Sequence, residues 1–177
     1  MTAEELFLFH GEPDRRYELV DGNLIELPLN GAQHGAVAAE VAGTLYRHLS
    51  SERSGHLLGP AGFIIRRSPD TVRAPDLAFV ARQRLSDGWL PEGYLAVAPD
   101  FVAEVVSPND TAREVQQRID DWLQAGASVV MVVYPESKTV FLWRGLNVVE
   151  RRSGDEEVNL EPAIPGFHCS AAELFPE

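Results

Sequence analysis

Between Phe101 and Val133 the chain reads as strand, helix, strand. Phe101-Val102-Ala103-Glu104-Val105-Val106 is an almost unbroken apolar run, and Val129 to Val133 is wholly apolar. Runs of this length and composition fit strands covered on both faces. Pro108-Asn109-Asp110 turns the chain into a helix, about Thr111 to Ala125, which Gly126 closes. Two strands joined by a helix pair in parallel through a right-handed crossover. This unit predicts an α/β or α+β fold in which a mixed, twisted sheet is flanked by helices.

The remaining segments extend that plan. Thr2 and Glu5 form a capping box for a short helix through Phe9, ended by Gly11 and Pro13. Arg16–Val20 and Asn23–Leu27 are a hairpin around Asp21-Gly22. From His34 to about Ser50 a helix carries Val37, Val41, Leu45 and Leu49 on one face. Short strands follow near His56–Leu58 and Phe63–Arg66, then a strand from Pro75 to Val80. Arg82 to Pro99 reads as loop, Lys138–Trp143 and Asn147–Arg151 as a second hairpin, and the tail is weakly patterned up to a turn near Ala171–Phe175. No linker divides the 177 residues, which suit a single domain over 1–177 with a full core.

Composition narrows the function. The longest apolar run, Ser128 to Tyr134, is too short to cross a bilayer. The N-terminus is acidic where a signal peptide is basic, and the lone Cys169 fits a reducing compartment, so a cytoplasmic location is expected. One cysteine and five scattered histidines give no zinc spacing. Fifteen basic against 27 acidic residues give −12, which opposes avid DNA binding. The charge is uneven: Arg47 to Arg84 holds seven arginines and three acids, and Gly154 to Glu177 holds six acids and no base. This leaves open a basic face opposite an acidic tail, or simply solvated faces.

Asp76 and Glu104 are single carboxylates in segments that otherwise read as buried strand. A buried carboxylate is costly unless it is paired or holds a metal. Both fit if they face one hard cation, Mg²⁺ or Mn²⁺, together with a backbone carbonyl. The bland alternatives are a strand start for Asp76 and an arginine pair for Glu104. Glu18, between Tyr17 and Leu19, either faces the site and orients a water or is an exposed hairpin glutamate. His34 shares a face with Val37 and Val41, and either contacts phosphate or simply starts its helix. Arg118 flanks the buried stripe of Val115, Ile119 and Trp122, and either reaches the cation site or pairs with Glu114 on the surface.

These pieces, in order, resemble the PD-(D/E)XK nuclease superfamily, and most closely the prokaryotic Uma-type family of restriction-endonuclease-like proteins. The resemblance rests on Tyr17-Glu18-Leu19-Val20-Asp21-Gly22, His34, Pro75 to Val80, Pro99 to Pro108, and Ala125-Gly126. It implies a restriction-endonuclease-like core in which Asp76, Glu104 and the Val105 carbonyl hold Mg²⁺. A lysine normally completes the set. Two residues after the glutamate stands Val106, and counting back from Ala125-Gly126 to the family's alternative lysine position lands on Arg118. The only lysine is Lys138. A guanidinium can clamp phosphate but is a very poor proton acceptor. Tyr134-Pro135 also stands where the family usually has Asp-Pro.

The resulting expectation is a metal-dependent endonuclease acting on DNA, with Glu18, His34, Asp76, Glu104 and Arg118 at the site. The net charge suggests help from a homodimer surface or a partner. A catalytically inactive dimer used as a binding or scaffold module is the rival, and a hydrolase of small nucleotides is a third option.

Overall fold

The computed structural model describes residues 1–12 and 15–176. Pro13, assigned above to the end of the first helix, lies outside them. The first elements are α1 (Ala3–Phe7), β1 (Arg16–Val20), β2 (Asn23–Leu27), α2 (Ala32–Glu52), β3 (Gly55–Leu58), β4 (Phe63–Arg66), β5 (Thr71–Arg73) and β6 (Leu77–Ala81). After two short 3-10 turns come β7 (Phe101–Val105), α3 (Ala112–Ala125), β8 (Val129–Tyr134), β9 (Thr139–Gly145), β10 (Val148–Ser153), β11 (Glu157–Asn159) and β12 (His168–Ser170).

The central sheet has the order β10-β9-β8-β7-β6-β3, and β7 and β8 are its only parallel pair. Its strands alternate between two cores. Leu77, Phe79, Phe101, Ala103, Val105, Met131 and Val133 pack under Val37, Val41, Leu45 and Leu49 of α2. Ala78, Val80, Val102, Val130 and Val132 pack under Ile119 and Trp122 of α3 and Phe63 of β4. This period of two is what the pleat requires, and it puts Glu104 on the α3 face. A second sheet, β2-β1-β5-β4, is antiparallel and carries α1 on Leu19 and Val72.

α3 is held at both ends by its sequence. Thr111 and Glu114 form a reciprocal capping box. Gly126 closes the helix with φ of 109°, a left-handed conformation that a side chain would strain.

Several expectations need adjusting. The first helix stops at Phe7 rather than Phe9, and α2 runs longer at both ends than His34 to Ser50. β5 was not anticipated; its three residues are too few to show a period. The tail is more than a turn. β11 and β12 pair, and Val158, Leu160, Ile164, Phe167 and Leu174 join the α2-side core. Thr44 of α2 donates from its hydroxyl to the Glu173 carbonyl, 3.2 Å away, locking the tail onto the helix. The stretch from Arg82 to Pro99 contains the 3-10 turns Arg82–Arg84 and Ser86–Gly88, and its Leu95 is bridged to Phe63. Among the described residues no helix is long and apolar enough to cross a membrane.

Candidate functional site

The site follows from one register. β6 and β7 run antiparallel with Phe79 opposite Phe101 and Leu77 opposite Ala103. One step further along the same register, Asp76 faces Glu104. Directly opposed cross-strand residues bring their Cβ atoms to about 5 Å, so the two carboxylates are neighbours although 28 residues apart in sequence.

Asp76 is buried and sits just before β6. Its Oδ2 accepts the Val105 backbone N–H at 2.8 Å and lies 3.1 Å from Nε2 of His34. The other oxygen, Oδ1, has a long 3.4 Å contact from the Asn30 amide. His34 belongs to the first turn of α2.

Glu104 is also buried. Its Oε1 accepts the indole N–H of Trp122 at 2.7 Å, and its Oε2 accepts Nη1 of Arg118 at 3.2 Å. Burial pushes its pKa up to about 7; Arg118 and the Trp122 hydrogen bond oppose this, while the charges of Asp76 and Glu18 reinforce it. Burial works against the charge on Arg118, but Glu104, Glu18 and Asp110 outweigh it and raise its pKa.

Of the two positions left open for Glu18, the buried one is realised, and its partners are Arg73 and Ala74 rather than Asp76. Its Oε2 accepts Nη1 of Arg73 at 2.8 Å and its Oε1 accepts the Ala74 N–H at 2.9 Å. Arg73 also donates from Nε and Nη2 to Oδ2 of Asp121, at 2.9 and 2.6 Å. All three side chains are buried, so the triad ties β1, β5 and α3 together. Gln117 donates to the remaining Asp121 oxygen at 3.0 Å.

A cleft of about 260 Å³ opens over Asp76, His34, Val105, Asp110, Arg118 and Arg16. It adjoins a hollow of about 450 Å³ between the start of α2, Ser107-Pro108 and Tyr134 to Ser137. Glu104 lines a crevice of about 10 Å³ with Val105, Val106, Asp110, Val115 and Arg118. That is about the room one water needs, and Arg118 lines both this crevice and the open cleft. Among the described residues no group of three or more His, Cys, Asp or Glu is arranged to hold a metal.

The arginine-rich stretch is largely neutralised within the fold. Arg66 pairs with Asp21, Arg67 with Glu4 and Asp70, Arg73 with Glu18 and Asp121, and Arg84 with Asp100. Hydrogen bonds from Ser170 hold the Glu173 pKa below its ordinary value, with a smaller contribution from the charge of Arg47. The tail packs beside this stretch on α2, where Thr44 donates to the Glu173 carbonyl.

Residues 3–172 match the family Uma2, described as "Putative restriction endonuclease". The chain belongs to the Uma2 family. Its fold matches the crystal structure of "a putative nuclease belonging to DUF820" from Anabaena variabilis ATCC 29413, with a TM-score of 0.83. Identity is 20%, and the match covers 99% of this chain and 97% of that one. The architecture is thus the restriction-endonuclease-like one expected from the sequence. No curated protein matches the chain.

In this Uma2 chain, Arg118 reaches from α3 to Glu104 rather than to Glu114, whose carboxylate accepts from Thr111. Lys138 lies in the turn between β8 and β9 and does not line the cleft. Three residues around the site were not singled out from sequence. Trp122 was read only as core, although an indole N–H that is buried needs an acceptor. Arg73 carries a weak signal, a charge closing a short buried segment after Val72, whereas Asp121, next to Asp120 on an amphipathic helix, carries none.

Proposed function

We propose that the protein is a metal-dependent endonuclease hydrolysing phosphodiester bonds of DNA. The observation that carries this reading is the cross-strand pair of Asp76 and Glu104, both buried and each raising the cost of the other's charge. A pair of desolvated carboxylates on rigid strands is a hard-oxygen donor set that fits Mg²⁺ or Mn²⁺. Asp76, Glu104 and the Val105 carbonyl would hold the ion. When bound, such an ion neutralises charge on the scissile phosphate and acidifies a water.

The protein's own groups divide the remaining work. His34 and the Val105 N–H fix the orientation of Asp76. Trp122 fixes Glu104. Arg118 supplies a permanent positive charge with a planar fork suited to phosphate, but it takes no proton at any working pH. Glu18 acts at a distance, through the charge it adds beside Glu104 and Arg118. With a net charge of −12, a homodimer surface or a partner would help to hold DNA.

A second reading has its own observation. The Arg118–Glu104 pair at 3.2 Å and the crevice of about 10 Å³ leave Glu104 satisfied without a metal. On this reading Arg118 is an internal counter-ion and the fold serves as a binding or scaffold module. A cation can enter between the carboxylates only if the guanidinium swings into the cleft.

Calorimetric titration of Mn²⁺ or Mg²⁺ into the wild type and Glu104→Ala separates the two. The nuclease reading expects binding by the wild type, none by Glu104→Ala, and nicking of supercoiled DNA that follows the same pattern. Absence of binding by the wild type would overturn it. Arg118→Lys restores a group able to exchange a proton, and should raise the nicking rate by roughly one to two orders of magnitude. An unchanged or lower rate would show that charge alone is what this position supplies.

A further inference from the structure

We propose that Arg16 holds a phosphodiester group adjoining the one bound at Asp76, making it a nucleic-acid-binding residue of the cleft. This rests on the nucleic-acid part of the reading above. Arg16 opens β1 two residues before Glu18, so it projects from the same face of the strand, and it lines the cleft with Asp76 and Arg118. Its guanidinium is poorly used by the protein. Among the described residues, Nη2 has only a 3.4 Å contact to Oδ1 of Asn30, and the buried Nε has no hydrogen-bond partner. Among the described residues no carboxylate pairs with it, whereas Arg15 next door pairs with Glu26 on the surface at 3.3 Å.

A buried N–H without a partner is costly, and a charged fork beside a carboxylate site that keeps its donors free is more readily explained by a ligand than by stability. Phosphate is the anion that matches a guanidinium in shape and charge. Asn30 adds a link: it contacts Arg16 through Oδ1 and Asp76 through Nδ2, both at 3.4 Å. These long contacts hold the guanidinium and the carboxylate at the two ends of one short span. Arg118 and Arg16 then lie in the same cleft, one beside the carboxylates and one further along. That arrangement suits successive phosphates of a strand rather than a single free anion.

The test is fluorescence anisotropy with a short labelled DNA duplex, in Ca²⁺ and without divalent ion, using the full chain. Arg16→Gln should weaken binding about tenfold, as for loss of one charge-assisted contact. It should also lower the slope of log affinity against log salt by about 0.9, the share of one phosphate contact. Arg16→Lys should keep the slope, a result that a purely structural role would not produce. Equal affinity and slope for the wild type and Arg16→Gln would overturn the proposal, as would a wild type that binds no duplex. Thermal stabilisation by micromolar inorganic phosphate that depends on Arg16 would assign the residue to a free anion instead, and overturn it too. Arg16-dependent duplex binding together with failed metal titration would overturn cleavage and leave this contact standing. Metal binding and cleavage that ignore Arg16 would do the reverse.

Discussion

Arg73→Met should destabilise the protein by about 3–5 kcal/mol in urea unfolding at pH 7, the range found when one partner of a buried ion pair is removed. Among the described residues Arg73 is the only cation in contact with the two buried carboxylates Glu18 and Asp121, and it reaches both at 2.6 to 2.9 Å. Burial opposes its charge, but Glu18 and Asp121 outweigh that and raise its pKa. Methionine fills similar space and keeps the packing, so the loss is electrostatic. The Ala74 N–H and Gln117 each still satisfy one carboxylate oxygen. They cannot neutralise two negative charges that have lost the guanidinium between them. Burial then favours protonation of the orphaned carboxylates, so the deficit should shrink at pH 5. Replacing all three members with apolar residues should cost much less than Arg73→Met alone. A deficit below about 1 kcal/mol for Arg73→Met, in the range of an exposed pair, would show that the triad is effectively solvated.

The same triad shows how far the sequence could be read. Periodicity placed α2 and the buried stripe of α3, the Asp21-Gly22 turn placed the first hairpin, and unbroken apolar runs placed β7 and β8. The pattern around Glu18 left a site-facing and an exposed position both open. Nor did it show what Glu18 would meet when buried, since the partner Arg73 sits in β5, a strand of three residues with no period to recognise. Asp76 and Glu104 stood out as charges in apolar segments. Their adjacency was invisible until β6 and β7 were seen to pair antiparallel across the intervening stretch of turns. Strand order is a non-local property, and no local pattern near Asp76 names its neighbour. The tail was underread because its core residues, Val158, Leu160, Ile164, Phe167 and Leu174, are spaced irregularly and pack through turns.

The pH dependence of stability should expose the carboxylate pair directly. Glu104 has a pKa of about 7 in the folded protein against an ordinary 4.5, because burial and then the charge of Asp76 disfavour its ionised form. Its folded pKa is raised, so its contribution to stability is complete below pH 4.5 and is lost as pH rises through 7. The loss amounts to about 3 kcal/mol by linkage. Metal-free wild type should therefore weaken between pH 5 and pH 8 by more than Glu104→Gln does. Glutamine keeps an acceptor for the Trp122 indole, and Arg118, at 20% exposure, can turn its charge toward the cleft. A divalent ion favours the ionised carboxylate, so adding Mn²⁺ at pH 8 should recover stability in the wild type and none in Glu104→Gln. Parallel pH profiles for the two proteins would mean that Arg118 already compensates Glu104 fully. The pair would then behave as a closed salt bridge with nothing to gain from a metal, which is the scaffold reading.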